Sequence, residues 1–133
     1  LGDIMMNSDS AIVCSADDKK ICKLKPGSHS LVIDKLIIGR ENADCEYGYG
    51  TLSVDPTGSN CPQGDGSVVF GSNNKAEGEN SVVAGGSNNK AEGENSVVVG
   101  GESNSAFGKN SVVAGGSGNK ATGLNASAVG SSD

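Results

Sequence analysis

The sequence predicts an all-β chain, a parallel β-roll or β-solenoid of 14–15-residue coils behind an N-terminal disulfide-stapled cap. Three observations predict it. From Ser67 onward the chain repeats one unit: SVVFGSNNKAEGEN, SVVAGGSNNKAEGEN, SVVVGGESNSAFGKN, SVVAGGSGNKATGLN, then the fading ASAVGSSD. Each full unit joins a β-branched Val-Val pair to two to four glycines, a composition that opposes helix. All four cysteines, at 14, 22, 45 and 61, precede the repeats. The expected division is a Cys-containing cap over 1–66 and a β-solenoid array over 67–133.

In the first half, Ala11-Ile12-Val13-Cys14 and Ser30-Leu31-Val32-Ile33 read as strands. Lys25-Pro26-Gly27-Ser28 and Asp55-Pro56-Thr57-Gly58 are turn signatures. Leu36-Ile37-Ile38-Gly39 echoes the Val-Val-x-Gly of the later units and reads as a degenerate coil. A stack of coils has open edge strands at its ends and needs caps. An even cysteine count in a small, glycine-rich chain reads as two disulfides among Cys14, Cys22, Cys45 and Cys61. Four cysteines allow three pairings, and spacing does not choose among them.

In the repeats, a unit of 14 or 15 residues is too short for a helical hairpin repeat. It suits a short strand at Ser-Val-Val-x, a glycine turn, and a second short strand around the alanine. Stacked coils pair in parallel ~4.8 Å apart, so equivalent residues form columns. Val68, Val82, Val97 and Val112 make one column, and Val69, Val83, Val98 and Val113 the next. Neighbouring strand residues point to opposite faces, so both faces of this strand are apolar. One fills the coil interior. The other calls for a second surface, expected to be an identical chain, with Val69, Val83, Val98 and Val113 as the self-association face.

Asn80, Asn95, Asn110 and Asn125 align at a corner, as do Asn74, Asn89, Asn104 and Asn119. Stacked amides can bond along a column, and Asn tolerates the left-handed backbone of tight corners. Gly78, Gly93, Gly108 and Gly123 are expected to serve the same corner. Lys75, Lys90 and Lys120 align, as do Glu77 with Glu92 and Glu79 with Glu94, and read as a solvated face. Phe107 and Leu124 interrupt that polar pattern. Asn125-Ala126-Ser127 is an N-glycosylation sequon.

Composition narrows the function. The net charge of −6, without a basic cluster, argues against nucleic acid as a partner. No apolar run exceeds four residues, so no membrane span is expected. His29 is the sole histidine, and the paired Glu77 and Glu79 recur as Glu92 and Glu94. That recurrence reads as surface chemistry, so no catalytic residue, metal or cofactor is expected.

The units resemble the head repeats of trimeric autotransporter adhesins, the YadA-like head family, in which an N-S-V-A-I-G strand precedes a short A-x-G strand. Asn80-Ser81-Val82-Val83-Ala84-Gly85 with Ala91-Glu92-Gly93 follows that order. So do Asn95 to Gly100 with Ala106-Phe107-Gly108, and Asn110 to Gly115 with Ala121-Thr122-Gly123. The resemblance covers roughly residues 66–130; the added glycine per unit and the cysteines depart from it. It implies a left-handed parallel β-roll, three chains around an axis, and an adhesive or stalk role. The expected function is therefore a non-enzymatic, extracellular or cell-surface structural protein that self-associates as a homotrimer or fibre. The alternatives are an adhesin head that binds host matrix protein or glycan, and ice binding by a flat solenoid face.

Overall fold

The computed structural model describes residues 12–14, 22–24 and 35–130. Two compact units are present, Leu1–Ile33 and Asp34–Asp133. In the first, β1 (Ile12–Cys14) pairs antiparallel with β2 (Cys22–Leu24), and Cys14 stands opposite Cys22 in the register. The strand expected over 30–33, the turn over 25–28 and His29 lie outside the described residues.

The second unit is a parallel β-solenoid. Its strands are β3 (Lys35–Gly39), β4 (Thr51–Asp55), β5 (Cys61–Pro62), β6 (Val68–Phe70), β7 (Lys75–Ala76), β8 (Val82–Val83) and β9 (Lys90–Ala91). They continue through β10 (Val97–Val98), β11 (Ser105–Ala106), β12 (Val112–Val113), β13 (Lys120–Ala121) and β14 (Ser127–Ala128). One side of the coil is a seven-stranded sheet in the order β14-β12-β10-β8-β6-β4-β3. Another is a five-stranded sheet in the order β13-β11-β9-β7-β5. Parallel bridges joining Ser72, Ser87, Glu102 and Ser117 form a narrow third side. With steps of ~4.8 Å, six steps raise the stack roughly 30 Å.

The ladder runs upstream of the evident repeats. Leu36 pairs in register with Leu52, and Leu52 with Val68, each a step of 16 residues. Val68 to Val82 is a step of 14, and Val82 to Val97 to Val112 are steps of 15. The Leu36-Ile37-Ile38-Gly39 echo is thus a coil, and a further coil at Thr51–Asp55 follows it.

The core is two residues thick. Val69, Val83, Val98 and Val113 from the long sheet meet Ala76, Ala91, Ala106 and Ala121 from the short one, all essentially inaccessible. Each buried valine contributes about 1.5–2 kcal/mol of transfer free energy. A core this thin takes Val against Ala and leaves no space for larger side chains.

Two further devices close the coil. The side chains of Asn60, Asn74, Asn89 and Asn104 lie fully inside it. The backbone N–H of Asn74 donates to Asn60 Oδ1 at 2.9 Å, that of Asn89 to Asn74 Oδ1 at 2.8 Å, and that of Asn104 to Asn89 Oδ1 at 2.9 Å. Each Nδ2 then donates to a carbonyl of its own coil (Val54, Phe70, Gly85 and Gly100 in turn) and to a glycine carbonyl of the next, as Asn104 does to Gly100 and Gly116, both at 2.9 Å. This column satisfies corner carbonyls that would otherwise be buried without partners. The glycines at 78, 93 and 108 have a different role from the one expected. They are absent from the positive-φ positions, but a Cβ on Gly78 would stand 2.1 Å from the Gly93 carbonyl oxygen. Close coil stacking, not a left-handed corner, requires glycine there.

At the upstream end, Cys45 and Cys61 form a disulfide that ties the β3–β4 loop to β5. Cys61 occupies the column of Lys75, an outward position, and the loop it holds buries it. Asp55 ends β4 as a buried carboxylate. It accepts from Thr57 N–H at 2.7 Å and Asn60 N–H at 2.7 Å, and from Ser59 N–H and both hydroxyls. Burial alone would raise its pKa, but these hydrogen bonds prevail and hold it well below the usual carboxylate range. The Asp55-Pro56-Thr57-Gly58 turn is built on that carboxylate.

Candidate interaction face

The outward side of the seven-stranded sheet is apolar along nearly its whole height. One column runs Leu36, Leu52, Val68, Val82, Val97 and Val112, and ends at Ser127. Beside it run Ile38, Val54 and Phe70, followed by Ala84, Val99, Ala114 and Val129. Among the described residues nothing covers the two columns: Leu36 is 41% exposed, Val99 51% and Val129 84%, and Val68, Val82, Val97 and Val112 are half-buried.

This corrects the expected self-association face. Val69, Val83, Val98 and Val113 point inward with no exposed surface, and their neighbours Val68, Val82, Val97 and Val112 face out. Strand alternation makes the two columns equivalent on paper. The thin interior separates them: Phe70 shares the parity of Val68, and a phenylalanine does not fit against the alanine column. Phe70 was the signal in the sequence that could have assigned the parity.

The remaining sides are polar. Lys90 lies 3.2 Å from Glu92 and 3.8 Å from Glu77 of the preceding coil, and Lys109 lies 2.8 Å from Glu94. The hydrogen bond to Glu92 raises the Lys90 ammonium pKa, burial opposes it, and the charge of Glu77 adds to the rise. These exposed pairs offset like-charge stacking and contribute little stability. The third full unit differs from its neighbours at outward positions together. Glu102, Ser103, Ser105, Phe107 and Lys109 replace Ser87, Asn88, Lys90, Glu92 and Glu94, while Asn104, Ala106 and Gly108 keep their inward roles. Phe107 is 39% exposed and Leu124 68%, an apolar interruption of the polar side.

The four asparagines of the expected corner ladder share one backbone conformation, and side-chain bonds join the last three. Asn80, Asn95, Asn110 and Asn125 adopt φ of 54 to 57°. Asn95 Nδ2 donates to Asn110 Oδ1, and Asn110 Nδ2 to Asn125 Oδ1, each at 3.2 Å. A second left-handed corner at Asn73, Asn88 and Ser103 was not read from the sequence. The Asn-Asn pairs were its signal: the first Asn turns the backbone and the second enters the buried ladder. Asn60, the upstream member of that ladder, was also missed, because the unit around it matches poorly. Of the cysteines, Cys45 and Cys61 are joined, and the side chains of Cys14 and Cys22 lie outside the described residues. Among the described residues no helix is long and apolar enough to cross a membrane.

The family described as YadA head domain repeat (2 copies) matches residues 63–86, 83–103 and 91–116. Residues 63–116 are thus YadA-like head repeats. No curated protein and no solved structure matches the chain.

Proposed function

We propose that this chain is a surface or extracellular structural protein whose solenoid packs, through the outward face of its seven-stranded sheet, against identical chains in a homotrimer. The disulfide-tied coils upstream of the evident repeats, within 35–66, serve as its cap. One observation carries the reading: Val69, Val83, Val98 and Val113 already fill the interior, yet a second pair of apolar columns runs along the outside of the same strands. A contiguous apolar face of this kind, flanked by polar sides, is the mark of an interaction surface. The match to head repeats favours three copies of the chain as the occupants.

Light scattering on the non-reduced protein tests it. The wild-type chain is expected at three-chain mass, and Val97→Glu, which places a charge on the outward column, at monomer mass with its β-sheet spectrum intact. A wild-type monomer across the concentration range would sink the proposal. Filaments in negative stain would replace the closed trimer by a fibre. A second reading, an adhesin head, is favoured by Phe107 and Leu124 on an otherwise polar side. It predicts binding on a matrix-protein or glycan array that Phe107→Ser abolishes, and an array without hits would refute it.

A further inference from the structure

We infer that Asn125 is an N-glycosylation acceptor, so that the chain carries one N-linked glycan at the corner preceding β14. Asn125-Ala126-Ser127 is the only Asn-x-Ser/Thr triplet among the thirteen asparagines of the chain. The structure shows how it arises. At the three preceding corners, Asn80, Asn95 and Asn110 are each followed by a serine whose hydroxyl is buried inside the coil. At the fourth, alanine takes that interior position, and the hydroxyl moves one residue on to Ser127, in register with Val112 on the outward face. That one shift both creates the sequon and ends the apolar column with a polar residue.

The acceptor atom is accessible. Asn125 is exposed, and its left-handed backbone places it at the corner, outside the strand pairing. Its Oδ1 accepts from Asn110 Nδ2 at 3.2 Å, whereas among the described residues its own Nδ2 donates to nothing. Substitution at Nδ2 therefore leaves the ladder bond in place and meets no packed neighbour. The donor class is a lipid diphosphate-linked oligosaccharide. A bond forms from Asn125 Nδ2 to the anomeric carbon, and the anomeric carbon–oxygen bond to the diphosphate breaks. The lipid diphosphate leaves with that electron pair, and Nδ2 gives up one proton. No oxidant or reductant enters.

The inference rests on the extracellular reading for its natural setting, and the test separates the two. The full chain is expressed behind a supplied secretory leader in a host that glycosylates such sequons, with a known glycoprotein as control. Secreted and cell-retained chains are both weighed intact. The expected result is a mass increase of one glycan on most of the wild-type chain. Peptide N-glycosidase should remove it and leave aspartate at position 125. Ser127→Thr should retain the increase; Ser127→Ala and Asn125→Gln should lose it. Unmodified wild-type chain beside a glycosylated control would overturn the inference, as would an increase that survives Ser127→Ala. Because the leader is supplied, failure would count against Asn125 and not against the surface reading.

Discussion

Asn104→Ala tests the claim that a buried amide column, more than sheet pairing alone, holds the coils in register. Asn104 is fully inaccessible. Its Nδ2 serves the Gly100 and Gly116 carbonyls at 2.9 Å, and its Oδ1 receives the Asn119 N–H at 2.8 Å. Alanine removes the amide and leaves the Gly100 carbonyl and the Asn119 N–H unpaired in a closed corner, while the Gly116 carbonyl keeps the Glu102 N–H at 3.0 Å. At ~1–2 kcal/mol for each of the two groups left unpaired and ~1 kcal/mol for the lost Gly116 bond, the loss is about 3–5 kcal/mol. That is a large share of the roughly 5–15 kcal/mol of a typical domain. Asn110 supplies the comparison, because its ladder is exposed. Asn110→Ala loses two solvent-exposed bonds and puts alanine at φ 57°, for about 2 kcal/mol in all. Asn110→Gly removes the backbone part of that cost. Urea unfolding followed by circular dichroism should order the three losses N104A, then N110A, then N110G. An Asn104→Ala loss no larger than that of Asn110→Ala would show that water or local relaxation satisfies the corner, and the argument for the ladder would fail.

Four other outcomes follow from the same geometry. Among the described residues the buried Ser96 Oγ has no hydrogen-bond partner, and Ala126 already occupies its column, so Ser96→Ala should be neutral or stabilise by up to ~1 kcal/mol. A clear loss in urea unfolding would reveal an unrecognised partner for the hydroxyl. Cys45→Ser opens a link between residues 16 apart and should lower stability by about 3 kcal/mol, read by the same assay against the non-reduced parent. An unchanged midpoint would mean the loop is held without the bond. Asp55 has a folded pKa below its unfolded one, so its contribution is complete above the unfolded value and falls as pH drops through and below about 4. Stability measured from pH 7 to 3 should fall less steeply in Asp55→Asn, and parallel slopes would assign the acid sensitivity elsewhere. Val98→Glu should unfold the chain where Val97→Glu only separates it, because the first buries a charge and the second leaves it in water.

The coil stack was legible because it is encoded locally and repeatedly. The recurring Ser-Val-Val, the paired Asn and the glycines of each unit place strands, corners and close contacts at fixed offsets. Stacking turns offsets into columns without further information. Legibility faded upstream, where steps of 16 residues and Thr51-Leu52-Ser53-Val54 in place of Ser-Val-Val-x hide the Thr51–Asp55 coil from a search for period 15 and leave Leu36-Ile37-Ile38-Gly39 legible only as an echo. The disulfide partner of Cys61 depends on where the 40–50 loop folds back, a distance that spacing along the chain does not contain.

The candidate face shows the division most sharply. The repeated Val-Val pair alone establishes that both sides of the strand are apolar and that one of them must find its cover outside the coil. It does not say which, because a period of two has no inside or outside. Only the closed coil decides: the alanine column of the opposite sheet lies one thin layer away from Val69, Val83, Val98 and Val113, and steric fit sends Phe70 and the Val68 column outward. The same holds for the asparagines. Their column follows from the repeat, but whether an amide is sealed inside or lies exposed at a corner depends on the turn direction of the residue before it, and the tertiary structure sets that through the φ near 55° at Asn73, Asn88 and Ser103.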